Sequence, residues 1–206
     1  MKPVLFIDRD GTIIREPADE QIDSFEKLEF YPDVFSNLKK ICQELDFEIV
    51  MITNQDGLGT KVYPENTFWP VHNFILDTFK NEGVVFEKQF IDRTFAKDNA
   101  PTRKPQTGLL TEYFTEVYDL ENSFVIGDRL TDIELAKNLG CKGIFINDQT
   151  HLGTNEISVN QEDLTPFIAL ETNRWETIYE FLKAKQRVGS IVRNTNETKI
   201  AITINL

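Results

Sequence analysis

The apolar residues of this chain gather into short, nearly continuous runs at 4–7, 47–52, 86–91, 124–126 and 143–146. Runs this short, without polar alternation, predict strands covered on both faces. Helices are predicted between them, over 33–46, 71–82, 106–118 and 130–139. In the first, Val34, Leu38, Ile41 and Leu45 have the spacing of one helical face. The fourth closes on Leu139-Gly140, a helix stop signal. Alternation of this kind predicts an α/β fold, a doubly wound parallel sheet with helices on both faces.

Beyond residue 147 the pattern changes. The stretch 148–166 is polar and reads as loop, with 167–170 as a possible last strand. A helix is predicted over 173–184, where Trp175, Ile178, Tyr179 and Leu182 fall at i, i+3, i+4 and i+7. At the C-terminus Ile200, Ile202, Ile204 and Leu206 alternate with Lys199, Ala201, Thr203 and Asn205, the period of a half-buried strand. With 188–193 and the turn NTNET it makes a C-terminal β-hairpin. A lone hairpin is marginal in water, and the apolar pattern runs to the last residue. A domain boundary is therefore expected between 184 and 185, giving one domain over 1–184 and the start of another over 185–206.

Composition narrows the function. Of 206 residues, 40% are hydrophobic and 27% charged, the balance of an ordinary globular domain. Two cysteines, Cys42 and Cys141, exclude a disulfide scaffold and a four-cysteine zinc site; both read as small buried apolar residues. The 34 acids against 22 bases give a net charge of −12, which argues against a nucleic-acid partner. No apolar run approaches the roughly 20 residues of a membrane span. The opening MKPVLFID has no signal-peptide pattern, so a cytoplasmic protein is expected. His72 and His151 read as structural or exposed.

The chemistry lies where the strand-like runs end. The first run leads into Asp8-Arg9-Asp10-Gly11-Thr12, two carboxylates at a strand terminus followed by a turn glycine. In open α/β sheets ligands bind at that edge, and two like charges there call for a cation or a proton. The second leads into Thr53-Asn54-Gln55-Asp56-Gly57, the segment before the third helix holds Arg103-Lys104-Pro105, and the fourth run leads into Gly127-Asp128 with Asp132 behind. Each motif alone has a plainer reading as a turn, a helix cap or a surface cation. Taken in order, Asp-x-Asp-Gly-Thr, Thr, Lys and Gly-Asp-x-x-x-Asp resemble the haloacid dehalogenase superfamily of phosphohydrolases.

That resemblance implies roles. Asp8 would be the nucleophile, forming an aspartyl-phosphate, and Asp10 the general acid and base. Thr53 and Lys104 would hold phosphoryl oxygens, with Asn54 and Arg103 on the substrate side. Mg²⁺ would sit on the Asp8 carboxylate, the Asp10 main-chain oxygen and the Asp128 carboxylate, and Asp132 would support Lys104 or metal-bound water. The fold implied is haloacid dehalogenase-like and essentially capless.

The segments DRDGTIIREP, VMITNQDGLGT, NAPTRKP and FVIGDRLTDIELAKNLG further resemble the histidinol-phosphate phosphatase family. The tail RVGSIVRNTNETKIAITINL resembles the opening of the imidazoleglycerol-phosphate dehydratases, to which such phosphatases are fused. The implied partner is a small phosphate ester, L-histidinol phosphate, in histidine biosynthesis. An acidic rim would suit its cationic groups, and among Glu16, Asp19, Glu20 and Asp23 the first is the leading candidate. Some relatives carry a zinc loop before Arg-Lys-Pro. Here 92–102 reads DRTFAKDNAPT, without Cys or His, so no zinc is expected. The fragment is expected to be a monomer or weak dimer, the full fusion oligomeric. Rival readings are another capless phosphatase, such as one for a heptose bisphosphate, and a phospho-acceptor signalling module; the latter would lack an acid at the position of Asp10.

Overall fold

The computed structural model describes residues 1–147, 153–186, 188–194 and 199–205, the last two segments as backbone. His151, part of the predicted 148–166 loop, the turn after Asn194 and Leu206 lie outside the described residues.

Six parallel strands form the main sheet. In chain order they are β1 (Val4–Ile7), β2 (Glu48–Asn54), β3 (Lys88–Asp92), β4 (Phe124–Gly127), β5 (Lys142–Ile146) and β6 (Ile168–Thr172), arranged β3-β2-β1-β4-β5-β6. The chain winds outward from β1 through β2 to β3, then returns to the other side of β1 for β4. That reversal beside β1 is the topological switch point at which doubly wound sheets open a crevice.

Alternate side chains of the strands feed two cores. Leu5 and Ile7 of β1, Ile49 and Met51 of β2 and Phe124 and Ile126 of β4 pack with α1 (Val34–Glu44), α2 (Glu65–Asn81) and α4 (Trp175–Gln186). Val4, Phe6, Val50, Ile52 and Val125 pack on the opposite face with α3 (Leu130–Leu139) and a 3₁₀ turn at Gly108–Tyr113. Every residue of β1 is fully buried, which is why the strand is uniformly apolar. Helix α4 is tied to the loop after β1 by the Trp175 indole, which donates to the Thr12 carbonyl at 3.0 Å.

Three elements depart from the sequence reading. Helix α2 starts six residues early and runs through Pro70. Its buried stripe, Phe68, Val71, His72, Ile75 and Phe79, begins before the proline, and burying that stripe outweighs the roughly 3 kcal/mol that an interior proline costs. No α-helix forms over 106–118; the helical part is a 3₁₀ turn. Only Leu110 and Tyr113 are buried there, three residues apart, whereas Phe114 and Val117 are exposed. That is one edge of a three-residue period and no helical stripe. The polar 153–166 stretch also holds a 3₁₀ turn, Gln161–Phe167, anchored by buried Leu164.

Strands β7 (Val188–Asn194) and β8 (Lys199–Asn205) form a separate antiparallel hairpin with Ile191 opposite Ile202. Among the described residues no helix is long and apolar enough to cross a membrane.

Candidate active site

The loops after β1, β2 and β4 meet at the switch point. One cleft is lined by Asp8, Asp10, Glu16, Thr53, Asn54, Arg103 and Lys104, seven of the nine residues that the sequence singles out. Asp128 and Asp132 stand beside Asp8, and carboxylate oxygens of the three lie within 4.8 Å of one another.

Backbone geometry makes room for this crowding. Gly11 has φ +69°, and a Cβ there would fall 1.9 Å from Asp128 Oδ2. Gly127 at the end of β4 would place a Cβ 2.2 Å from the Asp132 carboxylate. Both glycines therefore serve close approach.

Lys104 is 3% exposed, and its Nζ donates to Asp8 Oδ1 and to Asp132 Oδ1, each at 2.7 Å. Burial disfavours its ammonium, but Asp132 and Asp8 outweigh burial and hold its pKa above the ordinary value. The other Asp132 oxygen accepts the Arg129 backbone N–H at 3.1 Å, so both its oxygens are engaged. Asp8 is pushed up to about 7, first by burial; Lys104 works against that shift, and Asp132 and Asp10 add to it. Burial and the Asp8 charge also raise Asp128 well above the usual carboxylate range.

Asp128 Oδ1 is buried and has no hydrogen-bond partner. An orphaned carboxylate oxygen beside a second carboxylate is costly without a cation. The hard oxygen donors Asp8 and Asp128 fit a divalent cation such as Mg²⁺; Asp132, spent on Lys104 and the backbone, fits a supporting role.

Asp10, two residues on, has different neighbours. Arg9 grips its carboxylate through Nε to Oδ1 at 3.0 Å and Nη2 to Oδ2 at 3.1 Å, and Gln55 Nε2 donates to Oδ2 at 2.6 Å. Gln55 also donates to Thr53 Oγ1 at 2.8 Å.

Other singled-out residues are engaged by the protein itself. The Asn54 amide makes a reciprocal pair with the Lys104 backbone, accepting at 3.0 Å and donating at 3.2 Å, and so fixes the lysine's main chain. Arg103 binds Asp56, Glu156 at 2.8 Å and the Thr94 carbonyl at 3.0 Å. Glu16 accepts from Arg129 at 2.8 Å; burial pushes its pKa up despite that partner. The loop after β3 is stitched by Asp92, which accepts from Thr94 Oγ1 and Thr102 Oγ1, each at 2.5 Å.

The sequence reading missed Arg9, Gln55, Arg129 and Glu156. Arg9 stands inside the quoted Asp-x-Asp motif, and its position between two acids was a usable signal. Glu156 lies in the polar stretch after β5, where nothing marked it as reaching Arg103 and Arg129.

Comparison with known proteins places this arrangement. Residues 101–163 match the family model described as HAD-hydrolase-like. Across its full length the chain is 53% identical to the histidine biosynthesis bifunctional protein HisB of Bacteroides fragilis and 49% identical to that of Spirosoma linguale. It covers 54% and 55% of those proteins, so the chain spans about half the length of the curated relatives it matches. Over residues 101–163 the chain is thus similar to the HAD-like hydrolases. Among solved structures of this fold, the D,D-heptose 1,7-bisphosphate phosphatase of B. bronchiseptica, complexed with magnesium and phosphate, superposes with a TM-score of 0.72 at 23% identity. The match covers 90% of this chain and 99% of that one. The fold shared with that structure thus extends over the six-stranded sheet and its helices. The doubly wound architecture expected from the strand–helix alternation is the one observed.

Proposed function

We propose that this chain hydrolyses L-histidinol phosphate to L-histidinol and phosphate in histidine biosynthesis. The observation that carries the reading is the Asp8 carboxylate, held at the switch point against Lys104 and beside the orphaned oxygen of Asp128. Asp8 is the nucleophile: its oxygen bonds to phosphorus as the bond to the alcohol oxygen breaks. Asp10 gives a proton to the departing oxygen, and in the second half-reaction takes one from the water that releases phosphate from Asp8. Lys104 and Thr53 hold the phosphoryl oxygens, where charge accumulates. Asp8, Asp128 and the Asp10 main-chain oxygen hold Mg²⁺, which when bound neutralises charge on the phosphoryl group.

The substrate's alcohol part is cationic, and the cleft supports that. Besides Asp8 and Asp10 it is lined by Glu16, Asp19, Glu20, Asp56 and Glu156, against Arg103, Lys104 and Arg129. Similarity to the HisB proteins supports the same assignment. On this reading 1–184 is the phosphatase domain and 185–206 the start of a dehydratase domain. The protein is cytoplasmic, the fragment a monomer or weak dimer, and the 92–102 loop carries no zinc, Asp92 serving as its closure.

The test is phosphate release from L-histidinol phosphate, a heptose bisphosphate and an aryl phosphate, with Mg²⁺ or with EDTA. Mg²⁺-dependent turnover favouring histidinol phosphate is expected. Preference for the heptose ester would keep the chemistry and discard the pathway; equal rates in EDTA would discard the metal.

A further inference from the structure

Arg9 is completely buried. Burying a guanidinium is costly unless its donors are met. Here Asp10 takes two donors, Gln55 Oε1 takes a third at 3.0 Å, and His72 Nδ1 a fourth at 3.3 Å. The Phe68 ring lies 4.8 Å beneath the guanidinium, and the Tyr63 hydroxyl adjoins it.

His72 is set to accept. Arginine only donates, so Nδ1 must offer its lone pair and the ring proton must sit on Nε2, which faces Gln89 Oε1 at 3.4 Å. Burial, then Arg9, lowers the His72 pKa to about 4, in keeping with a neutral ring.

The same contacts specify the geometry of Asp10. A carboxylate offers about four acceptor positions, two per oxygen. Arg9 takes one on Oδ1; Arg9 and Gln55 take both on Oδ2. Among the described contacts one position on Oδ1 remains, and Asp10 lines the cleft.

We propose that Arg9 is a positioning residue that fixes the plane of Asp10 and leaves Oδ1 as the oxygen that carries the proton. The proposal rests on the phosphatase reading above. In the first half-reaction the Asp8–phosphorus bond forms, the bond from phosphorus to the alcohol oxygen breaks, and the Oδ1 proton moves to that oxygen. In the second, water bonds to phosphorus, the Asp8–phosphorus bond breaks, and the water's proton returns to Oδ1. Arg9 itself exchanges no proton.

The experiment compares kcat/KM for an alkyl ester, L-histidinol phosphate, with that for p-nitrophenyl phosphate, whose leaving group is a stable anion that needs no proton. Arg9→Lys keeps the charge and loses the two-pronged grip. With Mg²⁺ present, the alkyl ester should lose about 10²-fold, the scale of general acid catalysis, and the aryl ester less than about threefold. Gln55→Met removes the second grip on Oδ2 while Asp10 still pairs the guanidinium. It also takes one acceptor from Arg9 and the donor to Thr53 Oγ1, whose loss falls on both esters alike. The alkyl ester should therefore lose roughly tenfold more than the aryl ester, and this ratio carries the test should Arg9→Lys not fold. Equal losses on both esters would assign Arg9 a merely structural role and overturn the proposal, as would no loss on either. A wild-type chain inactive on both esters would overturn the phosphatase reading itself, and the proposal with it; that outcome is seen before any variant is made.

Discussion

Asp8 and Asp10 are two residues apart, leave the same strand and reach the same cleft, yet they sit in opposite company. Asp8 shares one lysine with Asp132 and lies among carboxylates, one oxygen of which has no partner. Asp10 has an arginine to itself, gripped on both oxygens, with Gln55 as second donor. The first half of the site is short of positive charge and suits a cation and a phosphoryl group; the second is neutralised from within the protein. The lesson is that residue type does not assign roles to paired acids: environment does, by giving each a different partner. The alternation of side chains past the end of β1 makes the split possible, because Arg9 lies between the two acids and reaches the buried pocket of α2 that holds Phe68 and His72.

Removing the cation from the first half should have the largest effect. Lys104→Met leaves Asp8 and Asp132 buried without their common partner, a loss of about 3–5 kcal/mol by analogy with broken buried ion pairs, together with loss of phosphatase activity. Urea unfolding in EDTA would measure it. Stability within ~1 kcal/mol of wild type would mean that the two acids are not charged when the lysine is gone.

The second half should show itself in pH dependence. The folded pKa of His72, about 4, lies below the ordinary 6.5. The unfolded chain therefore takes up the proton first as pH falls. The stabilisation is complete above pH 6.5 and is lost as pH drops toward 4, by about 3 kcal/mol at 1.36 kcal/mol per unit. His72→Gln, which keeps a polar acceptor and does not titrate, should flatten the stability curve by that amount between pH 6.5 and 4. Parallel curves for the two proteins would show that His72 is not held neutral by burial and Arg9.

The smallest effect is expected at the rim. Glu16 is already paired with Arg129. Glu16→Gln should raise KM for histidinol phosphate roughly two- to fivefold, the scale of a partly exposed ion pair, and leave KM for a neutral alkyl phosphate unchanged. Equal shifts on both would remove Glu16 from recognition of the cationic group.

Much of this was legible beforehand because the chain advertises it locally. β1 is uniformly apolar and α3 ends on Gly140, whose φ of +79° makes it a left-handed cap. Asp8, Asp10, Thr53 and Asp128 sit at or just past strand ends, and Asp132 in the first turn of the helix after β4, so knowing the sheet was enough to bring them together; Lys104, 12 residues beyond β3, was marked by its motif. What was hidden depends on contacts distant in sequence. Helix α2 crosses Pro70 because a buried stripe demands it, and the 106–118 segment fails as a helix because only Leu110 and Tyr113 find cover. Arg9 could be seen in the motif, but its partners could not: Gln55 and His72 are 46 and 63 residues away. Glu156, which joins Arg103 to Arg129 across the cleft, lies in a polar stretch without periodicity.

The central claim is that Asp8 bonds to phosphorus. It is tested most directly by rapid acid quench of the chain with ³²P-labelled histidinol phosphate and Mg²⁺. The account predicts transient label on the protein that is released by hydroxylamine, as an acyl phosphate is, and is absent in Asp8→Asn. Turnover without labelled protein at any quench time, or label that persists in Asp8→Asn, would contradict it.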